Sequence, residues 1–334
     1  MRYRPLGRTG LRVSELFFGA MTFHERGDVA RYRAMLDAYA EAGGNVIDTA
    51  SAYGESEPIL GELLAGHRDR FVLASKYSIS RDQDDPNAGG NHRKNLVLTL
   101  ERSLRRLRTE YVDLYWVHLW DRHTPLEETM RALDDVVRAG KVLYVGISDA
   151  PAWVVSRADT LAEWRGWTPF AGLQVPYNLL KRDIERELLP MAEALRLTVA
   201  AWAPLARGVL SGKFLQDGTP QGDTRVDPGT LTARDHAVAY AVSQAAADLG
   251  TTPARVALAW LRARSPVIHP IIGARDVAQL TDNLGATEVE LPEEIVERLA
   301  AAAEFEAGFP ADFLAECEAD PWVFGKGRPG LLVS

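Results

Sequence analysis

A chain of 334 residues that is 46% apolar and 25% charged has the composition of an ordered globular protein and excludes a disordered one. Its 46 acidic against 38 basic residues give a net charge of −8, which argues against a nucleic-acid partner because no basic excess is present to displace counterions. One cysteine, Cys317, excludes an internal disulfide; with no signal-like apolar core in MRYRPLGRTG and no run near the ~20 apolar residues of a membrane span, the expectation is a cytoplasmic protein.

The first dozen residues alternate polar and apolar around GRTG (7–10), the pattern of a small hairpin. Eight short apolar runs follow: ELFFGA (15–20), NVIDTA (45–50), FVLASK (71–76), VDLYWVH (112–118), VLYVGIS (142–148), GLQVPY (172–177), TVAAWAP (198–204) and VIHPIIG (267–273). Their length and β-branched content predict buried parallel strands. Between them, apolar residues at three- and four-residue spacing predict helices, among them 29–43, 93–107, 125–141 and 184–196. Thr124-Pro125 and Asp149-Ala150-Pro151 read as helix starts, Gly140 and Gly250 as stops. RRLR (105–108) falls in a helical pattern and reads as a solvated face.

Strand and helix in alternation fit either a doubly wound sheet or a (β/α)8 barrel, and eight regular units favour the barrel. A doubly wound dinucleotide fold would carry G-x-G-x-x-G after its first strand, where this chain reads FFGAMTFHERG. No linker or repeat divides 1–334, so the expectation is a single α/β barrel domain with an N-terminal hairpin. Two polar, Gly/Pro/Asp-rich stretches, 77–91 and 212–231, follow strand ends and are candidate lids on the C-terminal face of the barrel.

That face is where the chemistry is sought. Asp48 ends the second strand, with Tyr53 beyond it; Lys76 ends the third and His118 the fourth. Each alone has a bland explanation, such as a turn former, a rim aromatic, a solvated strand end or a hydrogen-bonded core histidine. Four such groups at consecutive strand ends suit proton transfer to an oxygen. A phenol of ordinary pKa about 10 is a weak acid, an adjacent ammonium should lower that pKa, a carboxylate keeps the ammonium charged, and an imidazole can hydrogen-bond a carbonyl. No HExxH, G-x-S-x-G or P-loop is present, and no metal is expected.

Taken together, YRPLGRTGL, NVIDTASAYG, SLRRLRTEYVDLYWVH, GKVLYVGIS, LQVPYNLL, AWAPLARGVLSGK and PIIGARDVAQLTDNL resemble the aldo-keto reductase family along nearly the whole chain. HLWDRHTPLEETMRAL looks most like the bacterial members related to potassium-channel β-subunits. The resemblance implies an NADP(H)-dependent reductase of aldehydes or ketones, with Tyr53 as general acid, Lys76 and Asp48 tuning it, and His118 orienting the carbonyl. It implies a cofactor site in which Ser148, Asp149 and Gln174 meet the carboxamide and Trp202 stacks on the nicotinamide. Pro204, Leu205, Gly208 and Lys213 would cross the pyrophosphate, Gly273 and Arg275 would hold the 2′-phosphate, and Gln279 and Asn283 would meet the adenosine end. Two positions depart from the family pattern. Asp149 stands where Asn is usual, and Gln279 where many members are basic. Met21, Phe23 and Trp120 are expected to line an apolar substrate mouth, while His24, Arg81 and Asp121 would equally suit sugars. Two other readings stay open: a cofactor-sensing protein with vestigial turnover, and a barrel enzyme acting on a phosphorylated sugar without nicotinamide. Oligomeric state has no signature in the sequence.

Overall fold

The computed structural model describes residues 1–24, 28–215 and 226–319. Two short strands, β1 (Tyr3–Pro5) and β2 (Arg12–Ser14), pair antiparallel as the predicted hairpin. Eight strands follow: β3 (Phe17–Gly19), β4 (Val46–Asp48), β5 (Val72–Tyr77), β6 (Val112–Val117), β7 (Val142–Ser148), β8 (Phe170–Pro176), β9 (Thr198–Trp202) and β10 (Ile268–Ile272). They close into a parallel barrel in the order β10-β3-β4-β5-β6-β7-β8-β9, the (β/α)8 architecture expected. The surrounding helices include α1 (Val29–Glu41), α2 (Ser56–Leu63), α3 (Arg93–Leu107), α4 (Leu126–Arg138), α5 (Ala152–Arg165) and α6 (Leu188–Ala194). After β9 come α7 (Ala233–Asp248) and α8 (Pro253–Arg264), and after β10 come α9 (Val277–Leu284), α10 (Glu293–Ala302) and α11 (Ala311–Ala319).

The helix predicted over 184–196 is instead a single 3-10 turn at Asp183–Glu185 followed by α6. Pro190 accounts for the break. Its ring would collide with the carbonyl of Arg186 in a continuous helix, whereas in the first turn of α6 its missing N–H costs nothing. Pro125 and Pro151 are themselves the N-caps of α4 and α5, so Asp149 is left outside α5. Gly140 and Gly250 follow the last residues of their helices at φ of 71° and 62°, as stop signals should.

Hairpin residues Leu6 and Val13 belong to the same buried cluster as Phe17, Val46, Val72 and Trp116, so the hairpin plugs the base of the barrel. Gly7 fastens it there, its N–H donating to Thr198 Oγ1 at the start of β9, 2.8 Å away. Higher in the barrel, Trp116 fills the interior because its neighbours across β7 and β8 are Gly146 and Gly172. A Cβ on Gly146 would lie 2.3 Å from Trp116 Cζ3. Gly146→Ala should therefore lower stability by about 1–3 kcal/mol through overpacking, read as a lower urea midpoint.

Strand alternation positions the site. On β4, Val46 faces the interior and Ile47 the helices, which turns Asp48 inward. The same period of two carries Val72 and Ala74 to Lys76, Leu114 and Trp116 to His118, and Ala200 to Trp202. Inward-facing polar groups thus accumulate at the C-terminal ends of the strands, where the interior opens.

Candidate active site

At that end lies a cavity of about 780 Å³. Asp48, Tyr53 and His118 border it, and Lys76 sits beneath them with no exposed surface. The Lys76 ammonium aims its three protons at three acceptors: the Asp48 carboxylate, the Thr49 carbonyl at 2.9 Å and the Tyr53 phenol at 3.4 Å. Asp48 also accepts from Gln174 Nε2 at 2.9 Å, so both carboxylate oxygens are engaged.

The electrostatics hold each group in one state. Burial pushes the Lys76 ammonium toward neutrality, but Asp48 and Tyr53 more than offset this and hold its pKa above the usual lysine range. Tyr53 departs from the sequence expectation. Burial raises its pKa above 10, Asp48 adds to the rise, and the Lys76 ammonium opposes without prevailing. Tyr53 therefore rests as a phenol with its proton in place. His118, edge-on to the Tyr53 ring at 5.6 Å between centroids, is pushed down by burial and then by Lys76 to about 3. It is a neutral imidazole, and its buried Nδ1 finds no hydrogen-bond partner among the described residues.

A pH dependence follows from His118. Its pKa falls from 6.5 in the unfolded chain to about 3 in the folded one, so between those values the unfolded chain binds the extra proton. The stability from this group is complete above 6.5 and declines as the pH falls toward about 3. His118→Asn should accordingly flatten the acid limb of a urea-midpoint-against-pH curve relative to the parent.

All twelve residues assigned by resemblance to a cofactor border the cavity, in three groups. At the ends of β7, β8 and β9 stand Ser148, Asp149, Gln174 and Trp202. Asp149 holds a left-handed backbone, φ 47°, and its carboxylate accepts from the Trp202 indole N–H at 3.2 Å. Burial raises the Asp149 pKa against the opposing hydrogen bonds from Trp202 and Ser148. After β9, Pro204, Leu205, Gly208 and Lys213 form the second wall. Here Ala203, Ala206 and Arg207 carry positive φ without being glycine, and a Cβ on Gly208 would meet Lys213 Cε and Nζ at 2.9 Å. Backbone strain of this kind persists where a loop is shaped around a ligand. Arg207 itself borders the cavity and was missed by the sequence reading; its place beside Gly208 was the available signal.

The third group surrounds the start of α9. Gly273, Arg275, Gln279 and Asn283 border the cavity, and Asp276 caps the helix by accepting from Gln279 N at 2.8 Å. Gln279 Oε1 accepts from the Arg275 N–H at 2.9 Å, and Asn283 Nδ2 donates to the Gly273 carbonyl at 3.2 Å.

The expected substrate mouth fares unevenly. Met21 borders the cavity and is 48% exposed. Phe23 does not border it. Fully buried, it stacks on Tyr32 with centroids 4.1 Å apart, because an aromatic ring between β3 and α1 gains more from the core than from the mouth. Trp120 lies outside the cavity too, packed edge-on to Trp153 at 5.6 Å. The stretch 77–91 is tied down at its end: Asn91 N–H donates to Asp121 Oδ2 at 3.2 Å and its Nδ2 to the Leu119 carbonyl at 2.9 Å. Of the other candidate lid, 216–225 lie outside the described residues.

A barrel mouth that joins a buried Lys–Asp pair, a phenol and a neutral imidazole to a partly strained cleft suits proton transfer to a substrate oxygen. The aldo/keto reductase family model matches residues 15–304, and the chain belongs to that family, whose members use nicotinamide cofactors. It is 41% identical over 325 residues to the norsolorinic acid reductase stcV of Emericella nidulans, covering 92% of this chain and 82% of that protein. It is 38% identical over 344 residues to the aldo-keto reductase ausK of the same fungus, covering 96% and 86%. A norsolorinic acid reductase of Aspergillus flavus is 37% identical over 323 residues, covering 92% and 82%.

Proposed function

We propose that this chain is an NADP(H)-dependent reductase of aldehydes or ketones, with Tyr53 as the proton donor. The observation that carries the reading is the Lys76 ammonium, held by Asp48 and Thr49 and aimed at the phenol. The reductase names of the relatives support carbonyl reduction as the reaction.

The residues present suit a dinucleotide. Gln174, with its Nε2 already given to Asp48, and Ser148 would hold the carboxamide, and the Trp202 ring would face the nicotinamide. Leu205, Gly208 and Lys213 would cradle the pyrophosphate, the lysine supplying positive charge. Arg275, beside the N-terminus of α9, would take the 2′-phosphate by bidentate hydrogen bonding of its guanidinium. Gln279 and Asn283 would border the adenosine.

When bound, the reduced nicotinamide supplies hydride to the substrate's carbonyl carbon. His118, neutral at working pH, donates one N–H to the carbonyl oxygen and fixes its position above Tyr53. As negative charge grows on that oxygen, Tyr53 transfers its phenolic proton to it. The Lys76 ammonium, 3.4 Å from the phenol oxygen, stabilises the phenolate left behind, and Asp48 keeps that ammonium charged and pointed. A raised Tyr53 pKa does not impede this step, because an alkoxide is a far stronger base than a phenolate.

The substrate is a small-molecule carbonyl compound entering past Met21. A net charge of −8 supports the absence of a nucleic-acid partner. No helix among the described residues is long and apolar enough to cross a membrane.

The test is a panel of aldehydes and ketones with NADPH or NADH as reductant. Consumption of NADPH in excess of NADH, dependent on the carbonyl compound, is the expected result. NADPH binding without oxidation across the panel would overturn the reading in favour of a cofactor sensor.

A further inference from the structure

Apart from the Lys76–Asp48 pair, the described residues place one further carboxylate on the cavity. Asp149 borders the cavity at the end of β7, and its side chain reaches across β8 to the Trp202 indole on β9. It is half-buried and makes no salt bridge among the described residues. Lys76 is already matched by Asp48, His118 is neutral, and Lys181 acts on Asp149 without forming an ion pair with it among the described residues. The Asp149 carboxylate is thus a negative charge at this end of the cleft with no directly bonded cation among those residues. Asp149 borders the same cavity as Tyr53, His118 and Trp202, and its carboxylate is fixed 3.2 Å from the Trp202 indole nitrogen.

Resting on the proposed nicotinamide site, we infer that Asp149 sets the redox preference of the cleft: its carboxylate, held against Trp202, favours the oxidised, positively charged nicotinamide over the reduced, neutral ring. The charge difference between the two rings is one unit, and it arises beside the Trp202 face. Preferential binding of the oxidised form lowers the potential of the bound couple and makes it a better hydride donor. The positive charge that develops as hydride leaves is stabilised in the same way. At the oxygen end the effect is outweighed, because Lys76 acts on Tyr53 more strongly than Asp149 does. Trp202 contributes by holding the carboxylate in place. An indole N–H can only donate, which suits an acceptor-only carboxylate.

Asp149→Asn isolates the charge. Asn tolerates the left-handed backbone as Asp does, and its Oδ1 still accepts from Trp202 Nε1. Dissociation constants for NADP+ and NADPH would be measured by calorimetry on parent and variant near pH 8, well above the ordinary carboxylate range of about 4. The expected result is that NADP+ weakens roughly tenfold while NADPH changes less than about twofold, an effect of that size following from one charge at close range in a partly solvated cleft. Equal changes in both constants, or none, would overturn the inference while leaving the cofactor site intact. A parent protein that binds neither nucleotide would instead overturn the cofactor reading on which this rests. Asp149→Gly, which the φ of 47° also admits, gives the same differential readout should the Asn variant fold poorly.

Discussion

Tyr53→Phe should abolish carbonyl reduction, lowering kcat by roughly 10²–10⁴ while leaving the NADPH dissociation constant within about twofold of the parent. Among the described residues bordering the cavity, the phenol is the one group that is both protonated at neutral pH and joined to an ammonium, at 3.4 Å from Lys76 Nζ. Phe keeps the ring, so the edge-on packing against His118 is retained and the pocket does not collapse. The lost hydrogen bond is long, but it leaves one proton of the wholly buried Lys76 ammonium without its partner, so stability should fall by about 1–3 kcal/mol. Single-turnover measurement with bound NADPH separates chemistry from product release. A rate within tenfold of the parent would remove Tyr53 from the role of proton donor and leave water, or His118, as the source. Water reaching the carbonyl oxygen accounts for whatever residual rate the variant retains.

The site was legible in the sequence to the extent that strand alternation governs it. Asp48, Lys76, His118, Gln174 and Trp202 all fall on the inward phase of their strands, and parallel neighbours in a closed barrel must deliver such residues to one mouth. Tyr53 lies five residues beyond β4 in a loop, where no periodicity applies; its nearness in sequence to Asp48 and the chemistry of the four groups made it a candidate, and the likeness to a family motif gave it the role of acid. Phe23 and Trp120 were misplaced for the same reason. Loop residues near a mouth turn inward or outward according to packing partners, here Tyr32 and Trp153, that lie too far along the chain for a local pattern to reveal. The Asp149–Trp202 hydrogen bond was illegible as well, since it spans two strands and 53 positions of sequence. Asp149 read as a departure from the family pattern and Trp202 as the ring that stacks on the nicotinamide; together they form a matched donor and acceptor. The direction of the Tyr53 pKa escaped for an energetic reason. Charge partners can be guessed from spacing, whereas burial, the larger influence here, is a property of the finished fold.

Lys76→Met should be the most damaging substitution for stability and no less damaging for activity. The lysine is wholly buried, and its removal leaves the Asp48 carboxylate, 4% exposed, with Gln174 Nε2 as its one side-chain donor among the described residues. An uncompensated buried charge costs about 3–5 kcal/mol, whereas replacing both members of a buried pair by neutral groups is often tolerated. Asp48→Asn alone should be less severe, because its amide oxygen still accepts from Gln174 or from Lys76, but the ammonium loses its counter-charge. The double variant Asp48→Asn/Lys76→Met should accordingly be more stable than Lys76→Met alone, a favourable coupling of about 1–3 kcal/mol in a double-mutant cycle read by urea unfolding. Activity should not follow that recovery. Without the ammonium, nothing stabilises the phenolate as Tyr53 gives up its proton, and burial keeps its pKa high with no opposing charge. Restored stability with kcat still depressed by at least about a hundredfold would place the pair in catalysis as well as in the fold. Additive stability losses would show that the two charges do not stabilise each other, and a double variant with parental kcat would show that Tyr53 donates its proton without their help.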